Sequence, residues 1–255
     1  MSLLQNKCGM IVGATSGIGR AAAKLFSQEG AKVIVIGRRV ELLQSLVSEI
    51  SHMGGEANYI VADISKSKEI KRMVKEAKNI YGRLDFAFNN AGTIGNFVPM
   101  LEQTEADWDD TIDTNLKSIW LSIREQALAM QKSGGAIVNT SSWLSAGGFS
   151  GSTVYSASKA GIDGLIRPAS LELAQYGIRV NNINPGGVDT EMTREAFKHN
   201  QETLDIFSQS HPLGKMASPE EVADLAAYLI SDRASNITGQ SMFIDGGYSI
   251  PGQRG

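Results

Sequence analysis

The sequence predicts one α/β domain, and two observations lead to that fold class. Short β-rich runs alternate with longer helical patterns from the first residues onward, and the β-rich runs are almost continuously apolar. Such repeated βα units predict a parallel sheet that is covered by helices on both faces. A chain of 255 residues that is 42% hydrophobic can bury one sizeable core. No linker rich in Gly, Ser or Pro divides it, so we expect a single domain over residues 1–255.

The predicted elements follow in order along the chain. Strands are expected at residues 8–13, 31–37, 57–63, 83–92, 135–142, 177–187 and 240–247. Helical patterns occupy residues 17–30, 38–55, 68–82, 104–131, 218–231 and a segment that begins near residue 152. The helix at 218–231 opens with Ser218, Pro219 and Glu221, which predict a capping box with proline in the first turn. The whole pattern predicts a doubly wound, mostly parallel seven-stranded sheet.

Composition and charge exclude several classes of protein. A net charge of −3 with scattered lysines leaves no electrostatic footprint for nucleic acid. No apolar run approaches the ~18–20 residues of a membrane span, and the first residues lack the order of a signal peptide. His52, His199 and His211 have no ligand spacing, so we expect no metal site. The lone Cys8, inside an apolar run, excludes an intrachain disulfide and indicates a buried structural thiol in a reducing, cytoplasmic setting.

A tyrosine and a lysine stand one helical turn apart in the stretch STVYSASKAGIDGL. Tyr155 and Lys159 share one face, whereas the opposite side carries small residues that include Gly161 and Gly164. Glycine costs a helix about 0.5–1 kcal/mol against alanine, so we expect another backbone to approach closely on that side. An ammonium about 4 Å from a phenol can lower the pKa of the phenol by up to about three units, towards the range that acid–base catalysis favours. Taken alone, the pair also fits two solvated neighbours.

The turn between the first strand and the first helix has the sequence GATSGIG. Gly13, Gly17 and Gly19 allow a tight turn and let backbone N–H groups approach a pyrophosphate at the helix N-terminus. A glycine-rich βα turn is often only a tight connection, but this one lies at the first βα junction of an alternating chain. Its spacing, Gly-x3-Gly-x-Gly, differs from the common G-x-G-x-x-G fingerprint.

With these residues in their order, the sequence resembles the short-chain dehydrogenase/reductase family over nearly its whole length. GATSGIG is similar to the cofactor loop of the family, NNAG at residues 89–92 to the motif after its fourth strand, and NPGGVDT at residues 184–190 to the segment that holds the nicotinamide. Asn115 in DTNLKS matches the active-site asparagine of the family. Ser142 lies thirteen residues before Tyr155, which opens the signature Tyr-x3-Lys. The ending ITGQSMFIDGG is also typical.

Two residues depart from the family pattern. Val12 stands where many members carry threonine before the first glycine. Pro168 lies in the helix of Tyr155 and Lys159, where it removes an N–H donor, and we expect it to bend the second half of that helix.

The resemblance implies a Rossmann-type domain and an oxidoreductase that transfers a hydride between a nicotinamide cofactor and an alcohol or ketone. It implies that Tyr155 passes a proton to or from the substrate oxygen, while Lys159 lowers the pKa of Tyr155 and binds the nicotinamide ribose. Ser142 is expected to hydrogen-bond the substrate oxygen, and Asn115 to help hold a water chain to Lys159. In isolation, Ser142 fits a turn at a strand end and Asn115 a helix residue that bonds locally.

The resemblance also assigns the cofactor contacts. They fall in the glycine loop, after the second, third and fourth strands, on the Tyr–Lys helix and in the 184–190 segment: Gly13, Thr15, Ser16, Gly17, Ile18, Gly19, Arg38, Arg39, Asp63, Ile64, Asn90, Ala91, Gly92, Tyr155, Lys159, Pro185, Gly186, Val188 and Thr190. Asp63 is expected to lie against the adenine.

The end of the second strand indicates which dinucleotide is bound. An acidic residue there accepts bonds from the ribose 2′-OH of NAD, whereas an arginine can bind the 2′-phosphate of NADP. Gly37 stands where the family usually has aspartate, and Arg38 and Arg39 follow. Guanidinium groups make charge-assisted bonds to phosphate, and cations at the start of a helix are disfavoured without an anion. We therefore expect NADP(H) in preference to NAD(H); two surface arginines are the alternative.

The sequence narrows the substrate to a small-molecule alcohol or ketone. The residues expected to line its pocket suit a partly apolar or aromatic compound, and also a sugar: Trp143, Gly147, Gly148, Phe149 and Met192. A 3-oxoacyl-[acyl-carrier-protein] reductase is an alternative, although Ser133 and Leu171 stand where such reductases commonly carry arginines for the acidic carrier. The complete set of four site residues disfavours a dinucleotide-sensing protein without catalysis. No feature of the sequence indicates that the protein is chiefly a structural component of an oligomer.

Assembly and a lid complete the expectations. The small-residue side of the Tyr–Lys helix suits packing between subunits, and the resemblance favours a homotetramer. Residues 191–215 are long for a connection, and their intermittent apolar anchors predict two short helices: Met192, Phe197, Leu204 and Phe207. We expect this segment to close over the crevice as a substrate lid that presents Met192 or Phe197. A permanently packed surface excursion is the alternative.

Overall fold

Seven strands form one parallel sheet in the computed structural model, which describes residues 2–250. Their bounds are β1 (Cys8–Val12), β2 (Lys32–Gly37), β3 (Glu56–Val61), β4 (Phe86–Asn89), β5 (Gly135–Thr140), β6 (Ile178–Pro185) and β7 (Ser241–Ile244). The spatial order is β3-β2-β1-β4-β5-β6-β7, and each neighbouring pair is parallel. The predicted seven-stranded sheet is confirmed.

The α-helices of the described residues lie between these strands. They are α1 (Gly17–Gln28), α2 (Val40–His52), α3 (Ser67–Tyr81), α4 (Glu105–Ile112), α5 (Ser118–Met130), α6 (Thr153–Leu173), α7 (Glu191–Ala196), α8 (Gln201–Gln209) and α9 (Pro219–Ile230). At the start of α9, Ser218 and Glu221 form the predicted capping box, with Pro219 in the first turn. No helix within residues 2–250 is long and apolar enough to cross a membrane.

The sheet separates two apolar cores, because alternate side chains of a strand point to opposite faces. Ile11 and Val35 belong to the core under α1, α2 and α9, where Phe26 is fully buried. Met10 and Ile34 belong to the core under α3, α5 and α6. Helices therefore cover both faces of the sheet, and the doubly wound, Rossmann-type single domain is confirmed.

The helical region that we expected at residues 104–131 is divided. α4 ends at Ile112, a π-helical turn covers Asp113–Lys117, and α5 begins at Ser118. The wider π turn interrupts the regular hydrogen-bond ladder and carries Asn115, which is fully buried. Because no Gly or Pro marks the break, the sequence predicted one unbroken helical region.

Helix α6 continues through Pro168 to Leu173, and the bend that we expected after this proline stays a prediction. At one glycine the helix differs from expectation. Gly161 packs against Leu116, since a Cβ at position 161 would lie 2.6 Å from the Leu116 side chain. The close neighbour of this glycine is therefore a side chain of the same chain, and the second backbone that we expected there is wrong.

The crevice at the carboxyl edge of the sheet lies between β1 and β4, where the strand order changes direction. Open parallel sheets bind ligands at such a switch point. A Cβ at Gly13 would lie 2.6 Å from the backbone of Ala91, so the two loops touch. Asn90 ties them together, because its Nδ2 donates to the Gly13 carbonyl at 3.4 Å and its Oδ1 accepts the Thr140 hydroxyl at 3.0 Å. The glycine loop and the NNAG motif thus border one crevice.

Candidate active site

The candidate active site lies where the carboxyl end of β5 faces α6, and it contains Ser142, Tyr155 and Lys159. Ser142 caps a short 3-10 turn, and its Oγ accepts the Leu144 N–H at 3.2 Å. α6 begins at Thr153 and presents Tyr155 and Lys159 one turn apart. The Ser142 hydroxyl lies near enough to the Tyr155 phenol to lower its pKa, and Ser142 and Lys159 are only 6% and 5% exposed. The structure thus brings these three predicted residues together.

The Lys159 ammonium is fixed at the base of this cluster. Its Nζ donates to the Thr140 carbonyl at 2.8 Å and lies 5.5 Å from the centre of the Tyr155 ring. Burial lowers the pKa of Lys159 to about 8, and the negative charge of Asp163 opposes that fall. The side chain therefore loses its charge as the pH rises through about 8, much earlier than an exposed lysine.

The Tyr155 phenol differs from the sequence expectation. Burial raises its pKa above the ordinary value, and the neighbouring Ser142 hydroxyl opposes the rise. The lowered pKa that we predicted assumed an ammonium about 4 Å from the phenol; instead, Lys159 faces the ring and gives its hydrogen bond to Thr140. The phenol is therefore protonated at neutral pH, the state that can give a proton to a carbonyl oxygen.

Asn115 lies on the opposite wall and joins three elements. Its Oδ1 accepts the Thr93 N–H and its Nδ2 donates to the Thr93 carbonyl, both at 2.8 Å, while Nδ2 also reaches the Ser158 hydroxyl at 3.2 Å. A Cβ at Gly92 would lie 3.2 Å from Asn115 Oδ1 and 3.7 Å from Lys159 Nζ. Because residue 92 is glycine, the space between Asn115 and Lys159 stays open.

The glycine loop leaves the N-terminus of α1 open to an anion. Gly13 and Gly17 have positive φ angles of 84° and 51°, and a Cβ at Gly19 would lie 2.1 Å from the Gly13 carbonyl oxygen. Ser16 makes no side-chain capping bond, and the first turn of α1 contains no acidic residue. Since the first N–H groups of a helix need partners and its N-terminus favours negative charge, this loop fits a pyrophosphate.

The 184–190 segment folds back onto the glycine loop. β6 ends at Pro185, and Gly186 follows directly at the carboxyl edge. Val188 is buried, and Thr190 lies so near the loop that a Cβ at Gly17 would approach its methyl group at 3.1 Å. The residues of this segment that we predicted as cofactor contacts therefore border the same crevice.

The end of β2 carries two guanidinium groups and no carboxylate. A Cβ at Gly37 would lie 2.7 Å from the Thr15 methyl group, so an aspartate does not fit there unless the loop moves. Arg39 Nη2 donates to Thr15 Oγ1 at 2.6 Å and to Ser16 Oγ at 3.1 Å. Arg38 is exposed. Of the two arginines, Arg39 is the one in contact with the glycine loop.

Asp63 follows β3 and is held by its own turn. Its Oδ1 accepts the N–H of Ser65 at 3.1 Å and the hydroxyl of Ser65 at 2.8 Å. Burial alone would raise the pKa of Asp63, but these bonds hold it below the usual value. Ile18 and Ile64 are half-buried and pack against the two apolar cores, so only part of each side chain faces outward.

Sequence reasoning missed a carboxylate behind Lys159. Asp163 lies one turn further along α6 and accepts hydrogen bonds from the side-chain amides of Asn182 at 2.9 Å and Asn184 at 2.8 Å. Asn184 also donates to the Ser145 hydroxyl at 2.8 Å. The four-residue spacing of Lys159 and Asp163 and the asparagines of VNNIN were the available signals.

Two aromatic side chains near the site were also missed. The ring of Phe97 lies 5.8 Å from that of Tyr155, and the ring of Tyr248 lies 4.7 Å from that of Trp143, between centroids. Both come from loops that are distant in sequence, so only the fold brings them to Ser142 and Tyr155.

Comparison with known proteins agrees with this geometry. A family model described as Enoyl-(Acyl carrier protein) reductase matches residues 13–249. The chain is 38% identical over 253 residues to the A-factor type gamma-butyrolactone 1′-reductase (1S-forming) of Streptomyces virginiae, and the alignment covers 97% of each protein.

Solved structures are similar over the whole domain. A short-chain type dehydrogenase/reductase from Mycobacterium marinum has a TM-score of 0.91 at 32% identity, with 97% of each chain covered. An actinorhodin polyketide ketoreductase with NADPH has a TM-score of 0.92 at 32% identity, covering 98% of this chain and 100% of that one. The protein is a nicotinamide-dependent oxidoreductase and belongs to the short-chain dehydrogenase/reductase family.

Proposed function

We propose that this enzyme interconverts a ketone and the corresponding secondary alcohol, with NADP(H) as its preferred cofactor, in the cytoplasm. The observation that carries the proposal is the cluster of the buried Ser142 and Lys159 with the half-buried Tyr155 at the carboxyl edge of the sheet. The free, buried thiol of Cys8 agrees with a reducing compartment.

The chemistry follows from the protonation states. A nicotinamide held by Lys159 and the 184–190 segment would supply the hydride that reduces the carbonyl carbon. Tyr155 gives its phenolic proton to the carbonyl oxygen, and the product is the alcohol; oxidation runs the same transfers in reverse. Ser142 donates a hydrogen bond to the same oxygen. The positive charge of Lys159 stabilises the phenolate that Tyr155 becomes when it has given up its proton. Asn115 keeps the loop after β4 in place beside Lys159.

The preference for NADP(H) rests on the end of β2. Residue 37 is glycine, so no carboxylate is present there to repel a 2′-phosphate. Thr15 also occupies the space that a side chain at position 37 would need. Arg38 and Arg39 supply positive charge there, and guanidinium groups form strong bonds with phosphate. The similar ketoreductase named with NADPH supports the same choice.

Two other functions remain as outcomes of the tests. A carrier-protein reductase is suggested by the description of the matching family model, but Ser133 and the exposed Leu171 offer no positive charge to an acidic carrier. A dinucleotide-sensing protein would bind the cofactor without catalytic turnover of a substrate at the cluster of Ser142, Tyr155 and Lys159. The placement of Ser142 and Lys159 beside the Tyr155 phenol argues against it.

We expect the purified protein to oxidise NADPH with at least one member of a panel of ketones. Tyr155→Phe keeps the ring and removes the proton donor, so turnover falls by about 10²–10⁴-fold while cofactor affinity is retained. Tyr176→Phe, in the 3-10 turn that follows α6, is the matched control and keeps wild-type turnover. Wild-type rates in Tyr155→Phe contradict the mechanism, and no turnover with any ketone or alcohol favours the sensing function.

Removal of either arginine tests the cofactor proposal. Arg38→Ala and Arg39→Ala are expected to weaken NADPH binding by about 1.5–3 kcal/mol relative to NADH, since a charge-assisted bond to the 2′-phosphate is lost. Calorimetric titration with both cofactors measures the difference, and Lys68→Ala, an exposed cation on α3, is the control. Equal losses for the two cofactors in both arginine variants would overturn the preference.

We propose a homotetramer in which one interface is formed by α5 and α6. Trp120 and Leu128 on α5 are 51% and 54% exposed, and Leu171 on α6 is 80% exposed. A groove between the two helices continues this apolar surface through Leu165 and Pro168. Exposed apolar surface of this kind marks an interface, and a two-fold axis covers it with the same surface of a second copy.

Leu128→Glu tests the assembly. The charge is expected to split the tetramer, which light scattering at micromolar concentration detects as a smaller mass. Leu101→Glu, at a 99% exposed leucine outside this surface, is expected to leave the mass unchanged. A monomeric wild-type protein, or a tetrameric Leu128→Glu protein, contradicts the proposal. Gly161→Leu is unsuitable because it collides with Leu116 inside the chain.

We also propose that residues 191–215 act as a substrate lid. The segment contains the two short helices that the sequence predicted, α7 and α8, joined through Lys198 and His199 in the left-handed region. Phe197 packs on Phe207 of the same segment, with ring centroids 4.9 Å apart. Of the two side chains expected to face the substrate, Met192 and Phe197, Met192 is therefore the one that is left free, and it is 43% exposed.

The attachment of the lid predicts where it bends. The Gly187 N–H donates to His211 Nε2 at 3.1 Å, and His211 Nδ1 donates to the Phe207 carbonyl at 2.8 Å. These bonds tie α8 to the segment after β6. α7 is joined to the same segment through the Thr193 hydroxyl, which donates to the Val188 carbonyl at 2.6 Å, but most of its residues are exposed. Amides of α7 are expected to exchange fast in the free enzyme and slowly with NADPH and inhibitor, by hydrogen exchange. Unchanged protection across 191–215 would show a permanently packed segment.

A further inference from the structure

We propose that the substrate is an uncharged ketone or alcohol whose reacting carbon belongs to, or adjoins, an apolar ring. This inference rests on the proposed function, because it assumes that Ser142 and Tyr155 bind the reacting oxygen. It follows from what surrounds those two hydroxyl groups: loops without charge, flat aromatic walls, and polar groups that are already bonded.

The loops beside the reacting groups carry no charge. Residues 93–101, after β4, and residues 143–152, between Ser142 and α6, contain no Asp, Glu, Lys, Arg or His. Two cations of the neighbouring 191–215 segment are paired: Arg194 with Asp189, and Lys215 with Glu221. An ionised substrate would lose its water here without gaining a partner, which is costly.

Aromatic side chains form the walls of the site. Phe97 lies 5.8 Å from the Tyr155 ring and 6.4 Å from Phe149, between centroids. Trp143, directly after Ser142, is held edge-on by Tyr248 at 4.7 Å. Phe149 is 45% exposed, so a large apolar face is open to solvent beside the reacting hydroxyls. A flat or ring-shaped apolar part of a substrate can pack against such aromatic faces, and because a ring is rigid it loses little conformational entropy.

Three hydroxyl groups of these loops already take part in hydrogen bonds. Ser145 accepts a bond from Asn184 at 2.8 Å, and Ser152 donates to the Phe149 carbonyl at 2.7 Å. Thr93 accepts the N–H of Gly95 at 3.1 Å. Few polar side chains are left for a polyhydroxylated substrate such as a sugar, and each of its hydroxyl groups that is buried without a partner lowers its affinity. Of the two substrate types that the sequence left open, the site therefore fits the apolar one.

A matched pair of ketones tests the charge. Methyl 4-oxocyclohexanecarboxylate and 4-oxocyclohexanecarboxylate share one ring and differ at pH 7 by one charge. With wild-type enzyme and NADPH, kcat/KM is expected to be at least about 50-fold higher for the ester. Cyclohexanone against 2-hexanone tests the ring in the same way, with the cyclic ketone preferred by about 10-fold or more. Dihydroxyacetone is expected to be the poorest substrate.

A substitution in the wall gives an independent readout. Phe149→Arg supplies the missing cation, so the ester-to-acid ratio is expected to fall at least about 10-fold. Phe243→Leu, at a phenylalanine of β7 with similar exposure of 43%, is expected to keep the wild-type ratio. Both positions are exposed, so the fold tolerates the changes.

The outcomes separate this inference from the function on which it rests. If no ketone of the panel is reduced, the proposed function fails. If the panel is reduced but the carboxylate and its ester react equally well, or open-chain and cyclic ketones do, the inference on substrate class is overturned while the function stands. A carrier-linked 3-oxoacyl thioester that outperforms every cyclic ketone also overturns it.

Discussion

One buried positive charge organises this molecule. The Lys159 ammonium lies within the protein at the junction of α6 and β5, where its hydrogen bond to the Thr140 carbonyl fixes it. An isolated buried charge is unfavourable by several kcal/mol unless nearby groups offset it. The strands, helices and loops around the crevice supply the groups that stabilise this charge and leave it accessible for catalysis.

Behind the charge, Asp163 supplies the opposite sign. The carboxylate of Asp163 accepts hydrogen bonds from Asn182 and Asn184 of β6. These bonds fix the carboxylate and also satisfy two amide groups of a buried strand. In front of the charge, the bare backbone of Gly92 leaves a path between Lys159 and Asn115. The lysine is therefore stabilised from the α6 side and open towards the crevice.

This arrangement explains which features could be predicted from the sequence. Local patterns gave the alternating strands and helices, the capping box of Ser218, and the approach of the glycine loop to the crevice, because each depends on neighbours in the chain. The family resemblance located Ser142 and Tyr155 through their spacing. The π turn around Asn115 could not be predicted, since an extra residue in a helical turn changes neither composition nor periodicity enough to mark it.

Other features depend on contacts between distant residues. Leu116 occupies the space beside Gly161 because the π turn directs it there, which reverses the interpretation of that glycine. The pKa of Tyr155 depends on burial and on where Lys159 gives its hydrogen bond; the four-residue spacing fixes neither. The aromatic walls come from loops after different strands and meet only in the folded chain.

The central claim is that burial, moderated by Asp163, sets the charge of Lys159. Carbon-13 NMR of the lysine side chains in the cofactor-free wild-type protein measures this directly, with the Lys159 signal assigned by its loss in Lys159→Arg. The account predicts a midpoint near pH 8, with charge lost as the pH rises through that value. A Lys159 midpoint at the ordinary value would contradict it.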